Sequence, residues 1–492
     1  LPKLILTVFV IYTIVLFFIS WLTSRKSTNK TYFTGNKQSP WPVVAYGMIG
    51  ASLSGVTFIS VPGWVGDSQF TYMMVVFGYI LGYAAITFVL LPLYYRLNLV
   101  SIYTYLGQRF GKFSHKTGAF YFILSRLIGA SFRMFLVINV LQIFIFDALG
   151  VPFYLSVVFF ILLITLYTYR GGIKTIVWTD MLQTTFMLSS LIITIYILMD
   201  HMGLTFGQLY SEIKEAGYTR MIETDWRHDR FFLKQFLSGM FITIVMTGLD
   251  QDMMQKNLSC KSLREAQKNM FSLGILLIPV NLLFLFLGAS LYVYATDFGI
   301  LLPKLSDDLF PMLAVNYFGT TAAIIFFVGL IAAAYSSADG AITALTTSIT
   351  IDLLNIDSEG KNRESIVKKT RYKIHFFISL CIVLVIVLFR EINDQAVIAR
   401  LFTIAGYTYG PLLGLFAFGL FTRKGVNDKL VPIVAIVSPV VSYLLSLYSV
   451  ELLGGYKFGF EILIVNGLIT FFGLLIIQKK TTHTKTTNSG NL

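Results

Sequence analysis

Residues 50–58 read Gly50-Ala51-Ser52-Leu53-Ser54-Gly55-Val56-Thr57-Phe58, in the middle of an apolar stretch that runs from about 41 to 64. Glycine and small hydroxyl residues weaken a helix from within, because glycine frees the backbone and serine offers it competing hydrogen bonds. Gly47 precedes the run and Pro62-Gly63 follows it. The three hydroxyls Ser52, Ser54 and Thr57 stand at i, i+2 and i+5, which is not one face of an intact helix. They share a side only if the backbone unwinds there. The alternative is plainer: each glycine lets a neighbouring helix pack closely.

The rest of the chain sets this stretch in a bilayer. Of 492 residues, 56% are hydrophobic and only 13% are charged. Soluble proteins carry about 25% charged residues. The mean hydropathy is +0.73. The charges cluster between apolar runs long enough to cross a membrane as helices. Thirteen spans are predicted, at 3–23, 41–64, 69–96, 117–148, 152–170, 176–201, 231–250, 270–296, 321–350, 373–391, 396–421, 430–448 and 459–478. The first apolar stretch lacks a basic leader and a small-residue cleavage site, so it reads as a retained span. Lys and Arg concentrate in alternate loops: 26 of the 38, Lys256 among them, fall at 25–37, 96–116, 170–174, 256–268, 361–373, 423–429 and 479–485. That bias marks those loops as cytoplasmic, with the N-terminus outside and the C-terminus inside. It also accounts for the net charge of +13 without nucleic acid. The segment 203–230 is polar and is expected to form a surface helix or lid, and the tail 479–492 to be a disordered cytoplasmic end.

The seventh span repeats the pattern of the second. It carries Gly239 and Gly248 and ends in Leu249-Asp250-Gln251-Asp252. Two interrupted spans five apart suggest two inverted five-helix halves, an arrangement that places a binding site at the midplane of transporters. The expected organisation is a first helix and loop (1–40), a core (41–423) with halves 41–203 and 231–421, two further helices (424–478) and the tail.

Two features point to a cation. Asp180 lies inside the sixth span, where a carboxylate costs at least ~2.5–3.5 kcal/mol and needs a partner or a task. In the ninth span Ala333, Ser336, Ser337 and Gly340 form one helical stripe at i, i+3, i+4 and i+7, with Asp339 beside it. Small residues on such a stripe also serve packing. Hard cations are held by carbonyl, hydroxyl and carboxylate oxygens, and those are the groups present. In the fourth span, Arg126 and Arg133 are costly unless an anion meets them. Arg126 is expected to be structural. The Arg133 fork suits a substrate carboxylate bidentately, or else pairs with Asp339 or a helix-end carbonyl.

At these residues the chain resembles the sodium/solute symporter family. The specific elements are Tyr167–Gln183 with its Gly-Gly and Trp-Thr-Asp, Asp250–Gln255, Ala332–Ser337 and Tyr409–Phe416, in the family's order. The resemblance implies a ten-helix inverted-repeat core working by alternating access. It implies a sodium site made by Gly50, Leu53, Ala333, Ser336 and Ser337. In the sialic-acid branch a second sodium lies nearer the cytoplasm, at positions matching Asp180, Ser336, Asp339 and Gly340. That branch has serines at the last two, so one or two co-transported sodium ions stay open. The same branch implies substrate contacts from Ser52, Ser54, Thr57 and Arg133. The matched pocket positions also include Tyr72, Val76, Thr243 and Thr247, and the scarcity of Asn, Gln and Glu among them weighs against a neutral hexose.

The resulting expectation is an all-α polytopic protein of the bacterial inner membrane. It would import a small organic acid such as sialic acid with sodium. The bilayer and the solute are its partners, with no nucleic acid or obligate protein partner in view. A sugar or amino acid as cargo, or protons relayed by Asp180 and Asp339 as the coupling ion, are the alternatives. No nucleophile–base pair, phosphate loop or metal-ligand spacing reads as an enzyme.

Overall fold

The computed structural model describes residues 2–25, 27–356, 361–391 and 397–479. The tail beyond 479 lies outside the described residues. The helices that matter are α1 (Pro2–Ser24), α2 (Trp41–Ser68), α3 (Tyr72–Arg96), α4 (Lys112–Leu149), α5 (Phe153–Thr168), α6 (Ile173–Met202) and α7 (Phe232–Gly248). They continue as α8 (Gln251–Leu258), α9 (Leu263–Asp297), α10 (Gly319–Leu353), α11 (Lys361–Arg390), α12 (Val397–Phe421), α13 (Val431–Leu447) and α14 (Ile462–Ile476).

Ten of these are long and apolar enough to cross a membrane. α7 and α8 form a further pair bent by 64°, and α5 and α14 are shorter apolar helices. Several helices outrun the apolar windows read from sequence. α9 begins at Leu263 rather than near 270, because the Ser262 side chain accepts from the Glu265 amide and starts the helix in polar sequence.

The break anticipated in the second span is real and falls on one residue. Ser54 has φ 47° and ψ 174°, inside an otherwise helical α2. That conformation is nearly glycine-only and costs on the order of 1–3 kcal/mol. The glycines around it do the other job considered for them. A Cβ at Gly50 would come within 2.4 Å of Thr184 Oγ1, so α6 packs directly on the first half of α2. The Gly50 amide donates to Thr184 Oγ1 at 3.1 Å, and that hydroxyl donates to the Gly47 carbonyl at 3.2 Å.

α2 runs through the centre, packed by α6, α9 and α10. α10 is buried without interruption from Gly329 to Ser348. α3 and α7 touch backbone to backbone. A Cβ at Gly78 would meet the Phe236 carbonyl at 2.0 Å, and one at Gly239 would meet the Val75 carbonyl at 2.0 Å.

The seventh span needs a correction. Its expected end at 250 is only a bend, and the chain goes on as α8, every residue of which is buried. Asp250 starts α8 by accepting from the amides of Asp252 and Met253. Lys256, counted above as a loop base, therefore lies inside the protein with 1% exposure. A stretch this polar reads as a loop unless its charges pair internally, which they do.

The polar segment after α6 forms a helix, Phe206–Glu215, closed at its start by a Thr205–Gln208 capping box. Phe206 stacks on Phe286 at 4.7 Å, and the Phe70 amide donates to the Arg220 carbonyl at 3.0 Å. The segment is thereby held against α9 and the turn that follows α2.

Candidate cation and solute site

The break in α2 faces the small-residue stripe of α10. Ser336 Oγ lies 3.3 Å from the Gly50 carbonyl and 3.2 Å from that of Ala333, and Ser337 Oγ donates to the Ala333 carbonyl at 3.1 Å. Gly50, Ala333, Ser336 and Ser337 thus meet at one point. Leu53, the last residue before the break, is buried beside them and lines the neighbouring cavity. A serine that donates its hydrogen keeps its oxygen lone pairs free. Carbonyls next to a break lack part of the helical ladder. Such oxygens can close around a monovalent cation.

A cavity begins on the other side of the break. Ser52, Ser54, Thr57, Tyr72, Arg133, Thr243 and Thr247 line it, as sequence proposed for a solute. Val76 is buried but does not reach the lining. Sequence reading missed Tyr79, Tyr83, Asn281, Met246 and Phe402, which complete the wall. Tyr79 and Tyr83 lie one and two turns beyond Tyr72–Val76 on α3, a periodicity available in the sequence. Met246 and Thr247 sit in the π turn Ile244–Gly248 that precedes the bend.

The two arginines part company. Arg126 is ion-paired to Asp252 and lies 3.6 Å from Asp250. Arg133 is 7% exposed and has no acidic partner among the described residues; its Nε lacks any hydrogen bond. It borders both this cavity and a smaller one that leads to Arg126 and Tyr409.

Asp180 is buried and meets a base. Lys256 Nζ stands 2.8 Å from Asp180 Oδ2 and 3.5 Å from Asp252 Oδ1. Asp339 accepts from Tyr167 Oη at 2.7 Å, from Thr179 Oγ1 at 3.5 Å and from the Gly340 amide at 2.6 Å. Gly340 faces Asp252, whose Oδ1 would lie 2.4 Å from a Cβ there. Tyr409 Oη donates to Asp250 at 2.9 Å. The motifs Tyr167–Gln183, Asp250–Gln255 and Tyr409–Phe416, far apart in sequence, are joined through this network.

The sequence profile of the sodium:solute symporter family matches residues 32–429. Among similar proteins, the sodium/sialic acid symporter SiaT of Proteus mirabilis is 22% identical over 88% of this chain and 87% of its own length. The sodium/sialic acid symporter NanT of Aliivibrio fischeri is 23% identical over 86% of this chain and 83% of its own. A sodium-coupled sialic acid symporter, solved substrate-bound and outward-open, superposes with a TM-score of 0.82 at 20% identity, over 96% of this chain and 98% of that one. Mhp1, a nucleobase-cation-symport-1 transporter with bromovinylhydantoin bound, gives 0.55 at 14% identity over 92% and 94%. These two likenesses establish a shared transporter fold. With the profile matching across most of its length, the chain belongs to the sodium:solute symporter family, a multi-pass helical membrane protein that couples sodium to the movement of a solute.

Proposed function

We propose that this symporter imports a small organic acid, with sialic acid the first compound to try, and that Arg133 grips its carboxylate. The carrying observation is a buried guanidinium at the cavity wall that no acid of the described chain neutralises. A buried charge is expensive without a counter-ion, and a carboxylate supplies one with two parallel hydrogen bonds. Ser52, Ser54, Thr57, Thr243, Thr247 and Tyr72 offer hydroxyls to the rest of the solute. Two relatives are named as sialic acid symporters, which supports the same choice.

Sodium binds at Gly50, Leu53, Ala333, Ser336 and Ser337. It ties α2 to α10 and so fixes the unwound backbone that forms one wall of the cavity. Solute affinity then depends on sodium, and both leave together when the site opens inward. Each positive charge moved inward gains ~2.3 kcal/mol per 100 mV.

The reading takes thirteen crossings: the ten long helices, the bent pair α7–α8, and α5 and α14. Spans two to eleven make the inverted repeat, 41–203 and 231–421, with 424–478 added after it. The basic loops place the N-terminus outside and the C-terminus in the cytoplasm of a bacterial inner membrane.

A thermal-shift panel tests the substrate class: sialic acid, other organic acids and neutral hexoses, each in sodium and in potassium. Stabilisation by an acid in sodium alone is expected. Stabilisation by a neutral hexose and no acid would overturn the carboxylate reading. Uptake into vesicles that is unchanged without sodium would overturn the ion.

A further inference from the structure

Asp180, Asp250, Asp252 and Asp339 are buried together with Arg126 and Lys256. Each acid finds partners within the chain. Lys256 reaches Asp180 and Asp252, and Arg126 reaches Asp252 and Asp250. Asp339 is held by three neutral donors, from Tyr167, Thr179 and Gly340. Gly340 has no side chain to lend, and its bareness is what admits the Asp252 carboxylate.

These are the surroundings in which a second sodium would have to sit, at Asp180, Ser336, Asp339 and Gly340. The residues present do not fit one. A hard cation gathers several oxygens. Here Asp180 Oδ2 is ion-paired to an ammonium at 2.8 Å, although neither oxygen of that carboxylate makes a formal hydrogen bond. The hydroxyl of Ser336 is turned to Gly50 and Ala333, in the first site. An incoming ion would also meet the repulsion of the ammonium beside it.

We propose that the Lys256 ammonium is a tethered cation standing at Asp180 in place of a second sodium, so that the protein carries one sodium per solute. The inference rests on the sodium-symport reading and specifies its stoichiometry. Lys256 is bound covalently to α8 and cannot be released, so its charge neutralises Asp180 without being transported. With a monovalent acid the transported charge sums to zero. The membrane potential then adds nothing to accumulation, and the sodium gradient alone sets its limit.

Sodium binding to the purified full-length protein, measured with radioactive sodium, counts the sites. The sodium dependence of uptake in vesicles gives the Hill slope. One bound sodium and a slope near one are expected for the wild type, and for Lys256→Arg, which keeps a fixed cation. Lys256→Met exposes Asp180 and is expected to gain a second sodium and a steeper slope. Two sodium ions on the wild type, or a folded Lys256→Met that still binds one, would overturn the proposal. If Lys256→Met fails to fold, the wild-type count decides alone. No sodium binding at all would overturn the symport reading beneath it, a distinct result.

Discussion

At the scale of the residue, two like side chains are told apart by what surrounds them. Arg126 and Arg133 lie on one helix seven residues apart, one paired to acids and the other open to the cavity. Arg133→Ala is expected to weaken acid binding about 10- to 100-fold, the ~1.5–3 kcal/mol of a hydrogen bond to a charged group. Sodium binding should survive, and titration calorimetry of each ligand separates the two effects. Ser337→Ala removes one neutral oxygen from the proposed sodium site and should cost about tenfold in sodium affinity, ~1.4 kcal/mol. Half-saturation of uptake by sodium reads that shift. Much of this was legible in the sequence, because Arg133 is a rare residue type in apolar surroundings and the stripe at Ala333–Ser337 sets two adjacent hydroxyls there. Lys256 was not. Its neighbours Asp252, Gln255 and Asn257 give the stretch the composition of a loop. Only the fold shows that Asp180, seventy-six positions earlier, meets it. The i, i+4 spacing of Asp252 and Lys256 was the one local signal on offer.

At the scale of the element, the break in α2 was legible as a composition and not as a place. Gly50 and Gly55 looked the equal of Ser54 as breaking points. Gly50 instead stays helical, with α6 packed on its bare backbone, and the positive φ falls on the serine between the proposed cation and solute sites. Ser54→Gly should relieve backbone strain and raise the melting temperature, at some loss of solute affinity through the missing hydroxyl. Ser54→Val should lower both, since a branched Cβ resists that conformation. Scanning fluorimetry with and without solute distinguishes the two. Gly239→Leu would push a side chain into the Val75 carbonyl, and loss of folded protein in size-exclusion chromatography is the expected outcome.

At the scale of the whole molecule, hydropathy located the long apolar helices, the Lys/Arg bias proposed an orientation, and the paired interruptions suggested the core. What they could not supply was depth, since α8 is buried yet polar and α9 begins in polar sequence. Orientation is checked by single cysteines reacted with a charged, impermeant maleimide on a background lacking Cys260 and Cys381. Lys261→Cys, in a basic loop, should stay unlabelled in intact cells, whereas Tyr210→Cys on the exposed segment should react at once. Labelling in the reverse sense would invert the topology. The contact of Gly78 and Gly239 bears on the motion itself. Where two rods meet main chain against main chain, as at Gly78 and Gly239, there is little side chain to re-sort and let one slip past the other. α3 and α7 must therefore travel as one stiff plate, carrying Tyr79 and Thr243 without changing their spacing. On the proposed transport reading, the solute would be released along the plate's rim, where Met246 of α7 and Leu401 and Phe402 of α12 line the same cavity.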